Sequence, residues 1–336
     1  MRDMGNREGV LLCLSRMRYL RVHEKILFYD MCSSAEEVAA LGKDRIQELI
    51  KRKLDAHVET RDNMLFSIER DAELCRKRGI DFVSVFDGQY PPQLRELFNP
   101  PFVLYYKGEL PAKETELLAI VGTRRASSTG LDAAYNLAYQ AAECGVAVVS
   151  GLARGIDRAA HKGAVEGGGE TCGVLAHGPD TVYPQGSRGI AAEMLKMQGG
   201  LISEYPPGTE ARKYHFPERN RIISGLSRAV VIIEAPQGSG ALITSEFALD
   251  QGRDVFVHSA CTGLVNSTGT QYLSREGAQE VSDMSEILST WGYPAVRRSI
   301  PNRNAKISGR NNPPNIQMAL EMEKELEHLV KNKNGE

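Results

Sequence analysis

The sequence predicts an α/β protein built on a doubly wound, mainly parallel sheet, with a small helical domain ahead of it. Two observations predict the sheet. From Leu117 onward, short runs rich in Val and Ile alternate with stretches of helix length. The runs are apolar at successive positions rather than at alternate ones, which suits strands covered on both faces. Strand–helix alternation of this kind implies right-handed parallel crossovers.

The predicted strands lie at 118–121, 146–150, 171–176, 201–204, 229–234 and 254–258, with helices at 129–144 and 241–251 among the segments between them. Upstream, residues 9–75 read as helices with polar breaks. Ser34 followed by Glu37 has capping-box spacing, and Val38, Leu41, Ile46, Leu49 and Ile50 recur at helical intervals. A connector carries strands at 81–86 and 102–106 around a proline-rich stretch. After Trp291 the chain turns polar, and 316–330 fits one amphipathic helix. The expected division is 1–78 helical, 79–292 α/β, and 293–336 a polar linker with a short C-terminal helix.

A formal net charge of −2 over 336 residues gives no global pull toward nucleic acid, so any such site must come from local clustering of cations. The six cysteines lie far apart with no CxxC pair, which argues against a zinc site or a disulfide framework. The apolar run from Val10 to Leu14 is followed at once by arginines and does not read as a signal peptide. No stretch is long enough to span a bilayer, and the expected location is cytoplasmic.

In an open parallel sheet, ligands bind beyond the carboxyl ends of the strands, so the strand-to-helix turns are read as a set. The first is Gly122-Thr123-Arg124-Arg125-Ala126-Ser127-Ser128-Thr129-Gly130; the second is Ser150-Gly151-Leu152-Ala153-Arg154-Gly155-Ile156-Asp157. The third starts at Ala176-His177-Gly178 and reaches Tyr183-Pro184; another is Glu234-Ala235-Pro236-Gln237-Gly238-Ser239-Gly240. One such turn fits a tight bend as well as it fits an anion site. Several on one edge, two carrying arginines, point to an anionic ligand held by main-chain N–H groups and guanidinium forks.

The known nucleotide motifs are missing. The first turn lacks G-x-G-x-x-G, no GxxxxGK[ST] exists, and Ser239 is not in a G-x-S-x-G elbow. Asp157 and His161, four apart on one helix, are read as a helix cap and a packed neighbour rather than a metal or catalytic pair. No constellation supplies nucleophile, base and orienter together, so neither catalysis nor a cofactor or metal is expected. In the segment from Arg212 to Arg221, cations and aromatics alternate before a helix. Single-stranded nucleic acid wants this mixture; a solvated turn with Phe216 in the core fits the composition equally.

The order of these motifs resembles the DprA/Smf family. The resemblance runs over 82–290 and rests on Ile120-Val121-Gly122-Thr123-Arg124, Ser150-Gly151-Leu152-Ala153-Arg154-Gly155-Ile156-Asp157-Arg158-Ala159-Ala160-His161, Phe216-Pro217-Glu218-Arg219-Asn220-Arg221 and Ser239-Gly240-Ala241-Leu242-Ile243-Thr244. It implies an extended Rossmann-like fold that binds and protects single-stranded DNA, helps load the RecA recombinase in natural transformation, and forms homodimers without catalytic turnover. It implies that the N-terminal helices are SAM-like and that Arg124 grips a DNA phosphate. The DNA-binding residues expected on this basis are Gly122, Thr123, Arg124, Arg125, Ser127, Gly151, Arg154, Gly155, Lys213, Phe216, Arg219, Asn220, Arg221, Ser239 and Gly240, with Phe216 stacking on a base.

This chain departs from the family pattern at His177, at Gly186-Ser187 and at His258-Ser259-Ala260, and no winged helix follows the sheet. Two alternatives remain. A nucleotide-processing enzyme of the phosphoribohydrolase (lysine decarboxylase-like) type would need a glutamate close after the glycines, where the nearest candidate is Glu246. A protein scaffold would keep the dimer without holding DNA.

Overall fold

A computed structural model describes residues 6–293. The linker and the helix expected at 316–330 lie outside the described residues. Five helices come first: α1 (Asn6–Arg16), α2 (Val22–Met31), α3 (Ala35–Ala39), α4 (Lys43–Ile50) and α5 (Arg61–Arg78). A connector follows with β1 (Asp81–Ser84), α6 (Pro92–Arg95) and β2 (Val103–Gly108). The chain then alternates through β3 (Leu117–Val121), α7 (Ser128–Glu143), β4 (Ala147–Ser150), α8 (Ile156–Glu166), β5 (Thr171–Leu175), α9 (Arg188–Lys196) and β6 (Gly200–Ser203). It continues with α10 (His215–Leu226), β7 (Ala229–Ile232), α11 (Gly240–Asp250), β8 (Asp254–His258), α12 (Thr268–Arg275), β9 (Gln279–Val281) and α13 (Met284–Thr290).

The nine strands among the described residues form one sheet in the order β1-β2-β6-β5-β4-β3-β7-β8-β9. The run from β6 to β9 is parallel, as the alternation predicts. The hairpin β1–β2 adds an antiparallel edge through β2 against β6. The short β9 was not expected from the sequence: Gln279 and Glu280 are exposed, so no apolar run marks it.

Both faces of the sheet are covered, and the strand period shows how. Leu117, Ala119 and Val121 point into the core on one face with Ile222, Ile223 and Leu226 of α10 and Ala241 of α11. Leu118 and Ile120 point into the other core with Ala134, Leu137 and Ala138 of α7 and Ala160 of α8. Each fully buried Leu or Ile contributes roughly 1.5–3 kcal/mol relative to exposure, which locks the register. The N-terminal helices bury their apolar side against Phe102, Val103 and Tyr105, and Ser15 Oγ lies 2.8 Å from the Tyr105 hydroxyl.

The topology positions the site. After β3 the chain builds outward through β4, β5 and β6, then returns to place β7 on the opposite side of β3. The turns after β3 and β7 therefore lead to helices on opposite faces, α7 and α11, and leave a crevice between them.

Candidate nucleic-acid interface

The crevice at this switch point opens into a groove of about 740 Å³. Its wall at the β3 end is the turn Gly122-Thr123-Arg124-Arg125, held to β7 by the Thr123 amide donating to the Glu234 carbonyl at 2.7 Å. Pro236, Ser239 and Gly240 form the opposite wall, where Ser239 caps α11 by accepting from the Ala241 amide at 3.1 Å. Lys213, just before α10, and Phe216, Arg219 and Asn220, in its first two turns, close the third side.

The groove concentrates positive charge that the whole chain lacks. Four cations line it, Arg124, Arg125, Lys213 and Arg219, against one carboxylate, Asp157. Arg124, Arg125 and Lys213 are exposed, and none joins a salt bridge among the described residues. The Arg124 guanidinium carbon sits 4.8 Å from the centroid of the Phe216 ring. That ring is 6.1 Å from Tyr183, which is 52% exposed and itself 6.4 Å from the buried His177 ring. Cationic forks and flat rings thus meet on one surface.

Beneath this surface lies a buried tie. Arg219 donates to the carbonyls of Gly151, at 3.1 Å, and Val174, joining the turn after β4 to β5. Burial pulls its guanidinium down to about 10, against the pull of Asp157. Burial likewise raises the Asp157 carboxyl, opposed by Arg219 and by the Ala153 and Gly151 amides that donate to it. Asp157 therefore fastens the turn preceding α8 from inside the first turn of the helix. The cap position belongs to Gly155, at φ +79°, where an added Cβ would strike the Thr123 carbonyl. Close approach of the second turn to the first requires glycine there.

Most members of the expected set come together: Gly122, Thr123, Arg124, Arg125, Lys213, Phe216, Arg219, Asn220, Ser239 and Gly240 line the groove. Ser127, Gly151, Arg154, Gly155 and Arg221 do not. The Ser127 hydroxyl donates to Glu234 at 2.7 Å and accepts from the Gly130 amide at 3.0 Å as the cap of α7. Gly151 lies under Arg219 and Asp157, and Gly155 packs on the backbone of Thr123 and Arg124. Arg154 is exposed beside the groove without lining it. Arg221 points to the other side of α10 and holds both Glu204 oxygens, at 2.7 and 2.9 Å.

Tyr183 and Asp157 line the groove but were not among the expected residues. Tyr183 had a signal, an aromatic ahead of proline in the third turn, yet only the fold brings it to Phe216. Of the departures from the family pattern, His177 backs Tyr183, the Ser187 hydroxyl donates to the Leu152 carbonyl at 3.0 Å, and His258 Nδ1 accepts from the Ala260 amide at 3.3 Å. All three are buried.

Residues 81–292 match the family model described as DNA recombination-mediator protein A. The chain belongs to that family. Its sequence is 39% identical over 212 residues to the DNA processing protein DprA of Streptococcus pneumoniae, a match covering 62% of this chain and 74% of the relative. It is 42% identical over 199 residues to Protein Smf of Escherichia coli, covering 59% of this chain and 53% of the relative. Among solved structures, Streptococcus pneumoniae DprA superposes with a TM-score of 0.68 at 30% identity, covering 85% of this chain and 98% of that one. Helicobacter pylori DprA, a structure described by its single-stranded DNA binding mode, superposes with a TM-score of 0.56 at 27% identity, covering 63% and 95%. These likenesses agree with the extended Rossmann-like sheet and with a DNA-processing protein of the DprA/Smf family.

Glu246, the glutamate that the alternative enzyme reading would need, is exposed on α11 and does not line the groove. Among the described residues, no helix is long and apolar enough to cross a membrane.

Proposed function

We propose that the groove at the β3/β7 switch point binds single-stranded DNA without catalytic turnover. The carrying observation is the Arg124 guanidinium laid on the Phe216 ring, in a groove where Arg124, Arg125 and Lys213 join no salt bridge among the described residues. Phosphates run along Arg124, Arg125 and Lys213 and the α11 N-terminus, while an unstacked base takes the flat faces of Phe216 and Tyr183. Duplex DNA hides its base faces in the stack and gains only the phosphate contacts. Sequence preference is slight, because phosphate contacts and stacking carry little base information. The single-stranded DNA binding named for the Helicobacter pylori relative supports the reading.

In this reading the protein is cytoplasmic, protects the strand and helps load RecA during DNA uptake, acting as a homodimer. Residues 1–78 serve as a SAM-like domain, 79–292 as the DNA-binding domain, and 293–336 as a tail. Ser127, Gly151 and Gly155 support the groove from behind and Arg154 stands beside it, whereas Arg221 faces away.

Titration with single- and double-stranded oligonucleotides at two ionic strengths tests the proposal. Single strands bind more tightly, and log affinity falls against log salt with a slope of about −0.7 per phosphate contacted. The oligonucleotide is recovered intact. Affinity that ignores both salt and strandedness would sink the reading.

A further inference from the structure

Asn220 and Arg221 are neighbours on α10, but the helix turns them to different sides. Asn220 lines the DNA groove; Arg221 lines a second cavity, of about 310 Å³, between the N-terminal helices and the sheet. Three cations line this cavity, Arg18, Lys25 and Arg221, with two carboxylates, Glu204 and Glu218. Both carboxylates are taken. Arg221 Nη2 donates to both oxygens of Glu204, and Arg18 pairs with Glu218. Glu204, which burial alone would raise, is held below the usual carboxylate range by Arg221, Lys25 and Arg18.

That pairing leaves one cation over. Lys25 is 7% exposed, and its ammonium makes no hydrogen bond or salt bridge among the described residues; its one contact of note is the Phe102 ring, 5.6 Å away. Arg221 Nη1 is buried with no acceptor. Burial pulls the Lys25 ammonium down to about 8 despite the attraction of Glu204, so its charge is poorly compensated. Buried charges are otherwise paired or hydrogen-bonded, and the chemistry that satisfies an unpaired ammonium in a cavity lined by two further cations is a multivalent oxyanion.

We propose that this cavity is a binding site for a phosphate group, with Lys25 Nζ as its donor and the guanidinium groups of Arg18 and Arg221 adding positive charge around it. The volume exceeds that of orthophosphate and admits a group attached to it, so the phosphate comes either free or on a nucleotide. The site is separate from the DNA groove and does not depend on that groove holding DNA.

Calorimetric titration of the full chain tests it, with orthophosphate and, separately, a nucleoside 5′-monophosphate, each against sodium chloride of matched ionic strength. Wild type is expected to show saturable binding with one stoichiometric site. Tighter binding of the nucleotide than of orthophosphate assigns the ligand as a nucleotide; the reverse order assigns free phosphate. Lys25→Met binds about tenfold more weakly or worse, and Arg124→Ala binds as wild type does. Loss in Arg124→Ala with retention in Lys25→Met puts the phosphate in the DNA groove and overturns the proposal, as does wild type showing nothing above the chloride control. If Lys25→Met does not fold, wild type saturated with single-stranded oligonucleotide decides the matter. Phosphate binding that persists supports a separate cavity, and binding that vanishes overturns it.

Discussion

The guanidinium of Arg124, in the turn after β3, and the ring of Phe216, at the start of α10, lie 4.8 Å from one another in the groove. One offers a fixed charge and the other a flat apolar face, so the two make separable contributions to binding. Arg124→Ala is expected to weaken single-stranded DNA binding by about 1.5–3 kcal/mol and to reduce the salt slope by about 0.7. Phe216→Ala is expected to cost about 1–3 kcal/mol with the slope unchanged. Fluorescence anisotropy across a salt series separates them; equal slope changes in both variants would refute the division.

Gly155 and Gly168 share a positive φ, +79° and +77°, in different surroundings. A Cβ at Gly155 meets the Thr123 carbonyl and the Arg124 backbone, whereas one at Gly168 meets nothing. Alanine at either position carries a backbone penalty of about 1–3 kcal/mol, and only Gly155→Ala adds a clash. Urea unfolding should show Gly155→Ala to be the less stable variant, with weakened DNA binding as the two turns separate. Equal stability would mean that the turns yield freely.

Ser127 caps α7 and donates to Glu234, which is fully buried at the end of β7. Ser127→Ala removes the cap and one donor to that carboxylate, an expected loss of about 2 kcal/mol. Since the hydroxyl faces Glu234 rather than the groove, the salt slope of DNA binding should not move. A slope change without a stability change would return Ser127 to the DNA surface.

His161 is buried between α8 and the sheet with Nδ1 2.7 Å from the Thr171 hydroxyl oxygen. Thr171 gives its one proton to the Val148 carbonyl at 2.8 Å, so Nδ1 is the donor in the first contact and Nε2 remains bare. Burial, with the charge of Arg219, pushes the imidazole from 6.5 down to about 3. The unfolded chain therefore binds a proton that the folded one refuses between those values. Stability should fall as the pH drops from 6.5 toward 3, by an amount on the order of 4 kcal/mol from this group. Denaturation across that window checks it: His161→Met should flatten the slope, and an unchanged slope would assign the acid lability elsewhere.

Much of the sheet was legible because its signal is local. The runs around Ile120, Val149 and Val231 are apolar on both faces, and the turn after each announces itself in glycine. Much of the site was legible for the same reason, since Gly122, Arg124 and Gly240 sit at strand-to-helix turns. β9 was not legible: it is three residues long, and neighbouring β8 defines it more than its own composition does.

Which way α10 faces was not legible either. Arg219, Asn220 and Arg221 are consecutive, and composition treats the two arginines alike. The helix sends Arg219 inward to the Gly151 and Val174 carbonyls and Arg221 across to Glu204, leaving Asn220 to share the groove. Tyr183 joins Phe216 only because the third turn folds over α10.

By itself, the sequence determined the strand-and-helix alternation, the sheet edge that carries the turns, and the residue types able to hold a polyanion. These follow from periodicity and turn chemistry, which act over a few neighbouring residues. Only the tertiary structure decided which cations stay free and which become internal ties. That choice depends on burial and on partners distant in the chain: an arginine beside an acceptor it can reach is consumed by the fold, and one laid on a ring at the surface is left for a ligand.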